Sequence, residues 1–586
     1  MLRFRPPNEP MHDDKLRFHW LPLLVAVAMP PLLAYNLTPS ATLFNQLASL
    51  AGWGLALGWL AVSGQGLARQ MPAAGWALLL MLAAIAASPF WTGLPISLSL
   101  SGFAMVGAAL LVLLAGAGSM GESRRRGFDA LAAGLVVAGV VSAGICLIQV
   151  FQPDWADGAW IARSGIPGRA VGNMRQPNHL ASLLLWAAIA AVYLAERHAV
   201  RRPALWTLLP LALFAFVFCV VLSASRTGMI GVGLLALWGL LDWADGKLSK
   251  TSRISLLATP VMLAISWWLM AAWAHGGGHA FGAESRLAEG AGSPSRLAIL
   301  RDAWDLVKAY PLTGVGWGEF NLAWTMTPFP QRPIAFFDHT HNIVMQLLVE
   351  LGVPLTLAVL GLLLWSMWKA LAKGAGLVGE HGAMQRCAFM VVLMIGLHSL
   401  LEYPLWYAYF LLPTAYALGL CLAGDDKPVE AASSASGHML LLGGVLLLLG
   451  SALALWDYRK IVVIYAPPEV AKPLQQRIED GQASLFFAPQ AEYAAATSLG
   501  VSPEALEAAR RTGHNLIDVR LMMAWAQALH ASGDDDRARY LVQRLKEFRN
   551  SQGDEWLAEC EQVPSEAERP FQCDPPSRNY SFKEMR

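Results

Sequence analysis

Apolar runs of about 20 residues, repeated along most of the chain, limit the fold more than any other feature. A helix of that length crosses the hydrocarbon of a bilayer and satisfies its own backbone polar groups. Such runs occupy His19 to Leu37, Ala41 to Val62, Pro72 to Trp91, Pro95 to Gly118, Gly127 to Phe151, Pro177 to Ala195 and Pro203 to Ser223. Further runs are Thr227 to Trp243, Arg253 to Ala274, Leu351 to Leu371, Cys387 to Leu401, Tyr407 to Ala423 and His438 to Trp456. The expectation is an all-α polytopic membrane protein with about 13 transmembrane helices. The short pair around Glu402 also reads as one broken helix. No small-residue cleavage site follows the first run, so it is expected to be a retained span.

Charge supports this reading. Only 15% of the 586 residues are charged, against about 25% in soluble chains. The deficit lies in residues 19–423, whereas 457–586 has an ordinary soluble composition. This excludes a cytosolic enzyme. A formal net charge of +1 gives no basic field, so no nucleic-acid partner is expected.

Lys and Arg alternate between loops. Arg3, Arg5, Lys15 and Arg17 lead the chain, and every second loop repeats the bias: Arg69; Arg124 to Arg126; Arg197, Arg201 and Arg202; Lys247, Lys250 and Arg253; Lys369, Lys373 and Arg386; Lys427. The intervening loops are nearly bare. Residues 1–18 are then expected in the cytoplasm, 19–423 as the membrane domain, 424–456 as a linker with the last span, and 457–586 outside.

Two outer loops break the bareness. Residues 152–176 carry Arg163, Arg169 and Arg175, and residues 275–342 carry Arg286, Arg296, Arg301, Lys308 and Arg332. Cations on the side that disfavours them suit an anionic ligand, although long loops escape the orientation rule. Arg226 is more pointed, because it ends an apolar span within Ser223-Ala-Ser-Arg226-Thr-Gly228. Gly172-Asn-Met-Arg175-Gln-Pro-Asn178-His179 is a turn opening a helix at Pro177. Its Arg, Asn and His present donors to an anion, or simply cap the helix.

The segment Phe337-Asp338-His339-Thr340-His341-Asn342 puts two imidazoles and a carboxylate directly before an apolar run. One reading is a metal site completed by Asp338, His275 or His279. Another is a general base, since an unperturbed imidazole titrates near pH 6.5. A polar cap at the membrane interface is the bland alternative. Upstream, the helix from Ser295 to Tyr310 leads into Pro311-Leu-Thr-Gly314-Val-Gly316-Trp-Gly318. Its glycines alone do not make a phosphate loop, because no Lys-Ser/Thr follows.

Three patterns together resemble the O-antigen ligase/polymerase superfamily: Ser-x-Ser-Arg-Thr-Gly at 223–228, Ser-Arg-x7-Trp with Pro-Leu-x-Gly-Val-Gly at 295–316, and His-x-His-Asn-x4-Leu-x2-Glu-Leu-Gly at 339–352. The Gln176-Pro-Asn-His-Leu-Ala181 turn and the soluble tail are similar to its protein O-oligosaccharyltransferase branch, the PglL-type pilin glycosylation ligases. The resemblance implies a GT-C-like membrane enzyme of the bacterial inner membrane, with a periplasm-facing site and neither metal nor cofactor. Its donor would be an oligosaccharide on undecaprenyl pyrophosphate, and its acceptor a Ser or Thr of a pilin-like protein. Arg226 and Arg296, with Arg175, would bind the pyrophosphate. His341, which directly precedes Asn342 as the family's His does, would be the base. His339, Asp338, Asn342, Asn178 and His179 would support the site. Attack opposite the leaving group would invert the anomeric centre. Delivery to lipid A–core (ligase) or to a second lipid-linked repeat (polymerase) uses the same donor. A transporter would instead place charges at span centres.

Glu402-Tyr-Pro-Leu-Trp-Tyr407 is a kink whose carboxylate and aromatics suit sugar faces or an interfacial aromatic belt. In the tail, Ala524 to Leu529, Gly533 and Ala538 to Leu545 have the look of a tetratricopeptide-type helical unit. One unit cannot close a core alone, so it should pack on neighbouring tail helices or dock on the membrane domain. It would recruit the acceptor or serve as a stabilising cap. Cys560 and Cys573 lie in the exported tail, where a disulfide is expected; Cys146, Cys219, Cys387 and Cys421 are expected as core thiols.

Overall fold

A computed structural model describes residues 20–198, 202–288, 294–424, 434–561 and 569–586. The N-terminal segment 1–18 and most of the linker after Ala423 lie outside the described residues. Among those residues there is no strand beyond one isolated bridge between Leu37 and Ser40.

Each apolar run is helical. In chain order they are α1 (Leu21–Ala28, continued by a 3-10 turn Pro30–Leu32), α2 (Leu43–Val62), α3 (Ala73–Thr92), α4 (Ile96–Ala117), α5 (Gly121–Phe151), α6 (Pro177–His198), α7 (Ala204–Ser223) and α8 (Arg226–Asp245). A bent pair follows, α9 (Lys250–Leu257) and α10 (Thr259–Gly277), turning by 45°. The loop after it holds α11 (Gly282–Ala288), α12 (Pro294–Ala309) and α13 (Phe320–Met326), and then come α14 (Ile343–Ala375), α15 (Gly379–Ser399), α16 (Ala408–Leu422) and α17 (Ser434–Tyr465). Nine of these helices are long and apolar enough to cross a membrane, or up to 10 with the bent pair as one span, among the described residues. The expected count of thirteen is therefore not reached by helix length and composition. Leu21–Leu32 and Ala408–Leu422 are apolar but short, and α2 carries Asn45 and Gln46 near its start.

Helix α6 is the centre of the bundle, with 83% of its apolar window buried. The last long helix lies against α2 where Gly54 faces Gly444. A Cβ on Gly54 would fall 2.8 Å from the Gly444 carbonyl oxygen, and one on Gly444 would fall 2.6 Å from that of Gly54. Absence of side chains lets the two backbones meet, the usual device of helices packed in lipid.

A second core forms where the long loop and the tail meet. Helix α17 continues past Trp456 to Tyr465, and the tail follows as α18 (Leu474–Gln482), α19 (Ala488–Ser498), α20 (Pro503–Thr512), α21 (Val519–Ala531), α22 (Asp535–Glu547) and α23 (Ser551–Leu557). Ser502, Asp518, Asp534 and Asn550 cap the last four by accepting backbone N–H bonds. Ile299, Leu306, Phe320 and Trp324 of the loop share one buried cluster with Trp525, Leu541 and Phe548 of the tail. The loop and tail are thus two halves of one hydrophobic core. Arg332 pins them together. Its buried guanidinium donates to Glu547 at 2.8 Å and to the Trp324 carbonyl at 2.8 Å, and it lies over the rings of Trp324 at 4.5 Å and Phe548 at 4.8 Å. Cys560 and Cys573 are joined by a disulfide, and the other four cysteines are buried and free.

Candidate active site

The chain ends of four helices build the site. Ser225 is the N-cap of α8, its hydroxyl accepting from the Gly228 N–H at 3.0 Å. Asn342 is the N-cap of α14, accepting from Met345 N–H at 3.0 Å, and its amide nitrogen donates to the Leu400 carbonyl at 3.0 Å. Pro177 opens α6 one residue before Asn178, and α15 ends just before Glu402. Three residues without glycine's freedom take positive φ here: Arg175 and His341 at 55° and Ala224 at 51°. Strain concentrated in this way marks positions held by their surroundings.

Glu402 is the hub. Its carboxylate is 6% exposed and accepts from His341 Nδ1 at 2.8 Å through Oε2. Through Oε1 it pairs with Arg296 and accepts from the Asn178 amide at 3.0 Å. Asn178 in turn accepts the Ser225 hydroxyl at 2.6 Å, next to Arg226. Residues from four regions of sequence therefore meet at one carboxylate. Burial works against ionising Glu402, but the hydrogen bond from His341 and the charges of His341 and Arg296 outweigh it, and the carboxyl is held below its usual range. A carboxylate at Nδ1 accepts only from N–H, so in the neutral ring it is Nε2 of His341 that carries the lone pair.

The second imidazole is built differently. His339 is buried, donates from Nδ1 to Asp338, and among the described residues has no hydrogen-bond partner at Nε2. Burial pushes it below its ordinary value, with the Asp338 carboxylate pulling the other way. Its ring lies 4.3 Å from that of His341, and the Tyr403 ring packs on both.

The glycine-rich turn after α12 proves to be a clamp on the backbone of α14. Val315 N–H donates to the Val349 carbonyl at 2.8 Å, Gly316 N–H to that of Glu350 at 3.1 Å, and Val353 N–H to that of Pro311 at 2.8 Å. Gly352 leaves helical geometry there at φ 73°, ψ 170°. A Cβ on it would fall 2.5 Å from the Leu312 carbonyl oxygen, and one on Gly314 would fall 2.5 Å from that of Val349. From this clamp Glu350 accepts from Gln346 at 3.0 Å, and Gln346 accepts from Thr340 N–H at 2.8 Å, between the two histidines. The Gly-Val-Gly and Glu-Leu-Gly motifs are thus one structural unit that fixes the histidine segment.

Other expected residues lie elsewhere. The Arg175 guanidinium is spent on the backbone carbonyls of Ala34, Ala41 and Asn173, which ties the α6 turn to the segment before α2. His179 is buried, with Nδ1 on the Tyr409 hydroxyl at 3.1 Å and its ring 4.5 Å from Tyr407, so it faces packing rather than the site. Glu402, read from sequence as facing sugars or sitting in an interfacial aromatic belt, accepts from three protein donors, a supporting position. Arg226 lies in a cleft of about 270 Å³ lined by Ala224, Met229, Trp267, Ala283 and Arg286, and it donates to the Arg286 carbonyl at 2.6 Å. Ser225, Gln346, Glu350 and Arg286 were not singled out from sequence. The first three sit inside the recognised motifs, and Arg286 had only its place among the loop cations.

His339, His341 and Glu402 offer ligand atoms within 4.8 Å of one another. A cation there would have to share the Glu402 carboxylate with the Arg296 guanidinium, setting two like charges side by side. The donor set therefore fits a hydrogen-bonded base better than a metal centre. His275 faces Glu284 at 3.2 Å and His279 stacks on Trp273, so neither joins the group.

Comparison with known proteins follows the same motifs. Residues 211–360 match the O-antigen ligase family, residues 170–195 the protein glycosylation ligase family, and residues 387–556 the C-terminal region of virulence factor membrane-bound polymerases. The chain is 28% identical over 273 residues to a general O-oligosaccharyltransferase of Acinetobacter baylyi, covering 45% of each chain. It is 24% identical over 268 residues to a ComP-specific O-oligosaccharyltransferase of the same organism, covering 44% of each. Each match spans less than half the length of the relative. In its recognisable sequence the chain is similar to the O-oligosaccharyltransferases, of PglL type, within the O-antigen ligase superfamily.

Proposed function

We propose that this chain transfers an oligosaccharide from undecaprenyl pyrophosphate to a Ser or Thr hydroxyl of an exported, pilin-like protein, at the outer face of the bacterial inner membrane. The observation that carries the reading is the single carboxylate that orients His341 and neutralises Arg296. The acceptor hydroxyl gives its proton to His341 Nε2 as its oxygen attacks the anomeric carbon. The bond from that carbon to the pyrophosphate oxygen breaks, and the electron pair leaves with the pyrophosphate. Arg226 and Arg296 meet that developing charge with charge-assisted hydrogen bonds. Glu402 holds the imidazole in the productive tautomer and balances the imidazolium that forms. Attack from the face opposite the leaving group inverts the anomeric centre.

Reconstitution tests this. Purified chain, a lipid-linked oligosaccharide and an acceptor protein should yield glycosylated acceptor, and His341→Ala should abolish it. Transfer only to lipid A–core would make the chain a ligase of that lipid. Transmembrane movement of the lipid-linked glycan without transfer would make it a transporter. Chelation of divalent ions should leave transfer intact; loss restored by a divalent ion would make His339, His341 and Glu402 a metal centre.

A further inference from the structure

Two cavities lie beside residues linked to the Glu402 hub, one at Arg226 and one at Asp338, and their chemistry is opposite. The cleft at Arg226 holds two arginines. The larger cavity, about 560 Å³, lies among α3, α4, α14 and α16, and among the described residues that line it none is Lys or Arg. Its walls are apolar, and Leu98, Ser101 and Met105 contribute one face of α4. Its polar lining includes Asp338, Gln346 and Trp406.

We propose that this cavity receives the acceptor as an apolar, uncharged or basic segment of polypeptide, while the anionic donor takes the arginine cleft. The proposal rests on the transfer reaction above and names the side from which its second substrate enters. Three observations support it. First, the lining without Lys or Arg includes the Asp338 carboxylate, which is 68% exposed and would repel a diphosphate but not a neutral or basic peptide. Second, Asp338 is bonded to His339, whose ring is 4.3 Å from that of His341, so this part of the cavity adjoins the base. Third, His514 and Asn515 of the tail also line it, and His514 is anchored to Glu319 of the loop at 2.8 Å. A water-facing helical region at the wall of an apolar cavity suits a polypeptide that enters with one segment and rests the remainder outside. The volume falls within the range of ligand pockets, about 300–1,000 Å³.

The test uses the full chain in lipid nanodiscs with a lipid-linked donor and an acceptor protein. Ser101→Trp and Met105→Trp each fill the cavity. Acceptor KM should rise at least about tenfold, about 1.4 kcal/mol of binding, with donor KM unchanged. A photo-reactive residue at Leu98 should crosslink to the acceptor without any filling substitution, so the result does not depend on either Trp variant folding. A rise in donor KM instead, a crosslink to lipid alone, or unchanged kinetics would overturn the proposal. Failure of the wild-type chain to transfer glycan at all would overturn the reaction, a separate outcome.

Discussion

Nδ1 of His341 lies 2.8 Å from Oε2 of Glu402, across 61 residues of sequence. That contact orients a histidine at the mouth of a helix, as the proposed base requires, and the Arg296 pair on the same carboxylate brings a cation to it.

Glu402→Gln keeps the size of the side chain but removes the charge that orients and balances the imidazole. The expected loss in kcat is about 10²–10⁴-fold, the usual worth of a positioned general base, with both KM values little changed. Steady-state transfer assays decide it, and undiminished kcat would mean that Glu402 only holds the fold.

Arg226→Lys and Arg296→Lys retain a positive charge but lose the planar fork that meets two phosphate oxygens. Each should lower kcat/KM for the donor, by up to about 10²–10³-fold, the cost of removing one transition-state donor. Full activity in both variants would argue against a pyrophosphate clamp.

The buried His339 gives a stability signature. Its folded value is depressed by burial, so the unfolded chain binds the extra proton first once pH falls below about 6.5. The stabilisation is complete above that value and is lost as pH falls towards the folded one. The thermal unfolding midpoint of the wild type should fall as pH drops below about 6.5, and His339→Gln should flatten that fall. An identical slope in the variant would place the pH sensitivity elsewhere.

At Gly352 the backbone has no room for a methyl group. A Cβ would fall 2.5 Å from the Leu312 carbonyl oxygen at a φ of 73°. Gly352→Ala should cost at least about 1–3 kcal/mol of stability from backbone strain alone. Gly361→Ala on the same helix, where nothing lies within 4 Å, is the control and should be neutral or slightly stabilising. Unfolding midpoints that match in the two variants would contradict the clamp.

Arg332→Ala would leave Glu547 paired with Arg544 alone and empty the space between Trp324 and Phe548. Because Arg544 still neutralises Glu547, the cost should stay below about 3–5 kcal/mol, that of a fully broken buried pair, and it should appear as faster proteolytic release of the tail. Wild-type resistance would mean that the shared core holds without this cation.

Much of the arrangement was legible before any coordinates. Runs of apolar residues marked the helices because that signal is local, and Arg296, His341 and Glu402, each singled out by its own segment, do meet in the structure. The partnership of His341 with Glu402 was not legible, since it depends on how α14 and α15 dock. Arg175 and His179 had the composition of an anion site, yet backbone carbonyls and an aromatic pocket took up their polar atoms, which only packing decides. The glycines at 314 and 352 looked unremarkable singly because their function is a mutual approach. The count of spans fell short because the apolar helices 21–32 and 408–422 are short, α2 is not among the nine, and one run is bent between α9 and α10.

The central claim is that His341 and Glu402 act as one unit. A double-mutant cycle on kcat, comparing His341→Ala, Glu402→Ala and the double variant, tests it most directly. The double variant should be no slower than His341→Ala alone, because the carboxylate works through the imidazole. Losses that multiply would show two independent contributions and contradict the account.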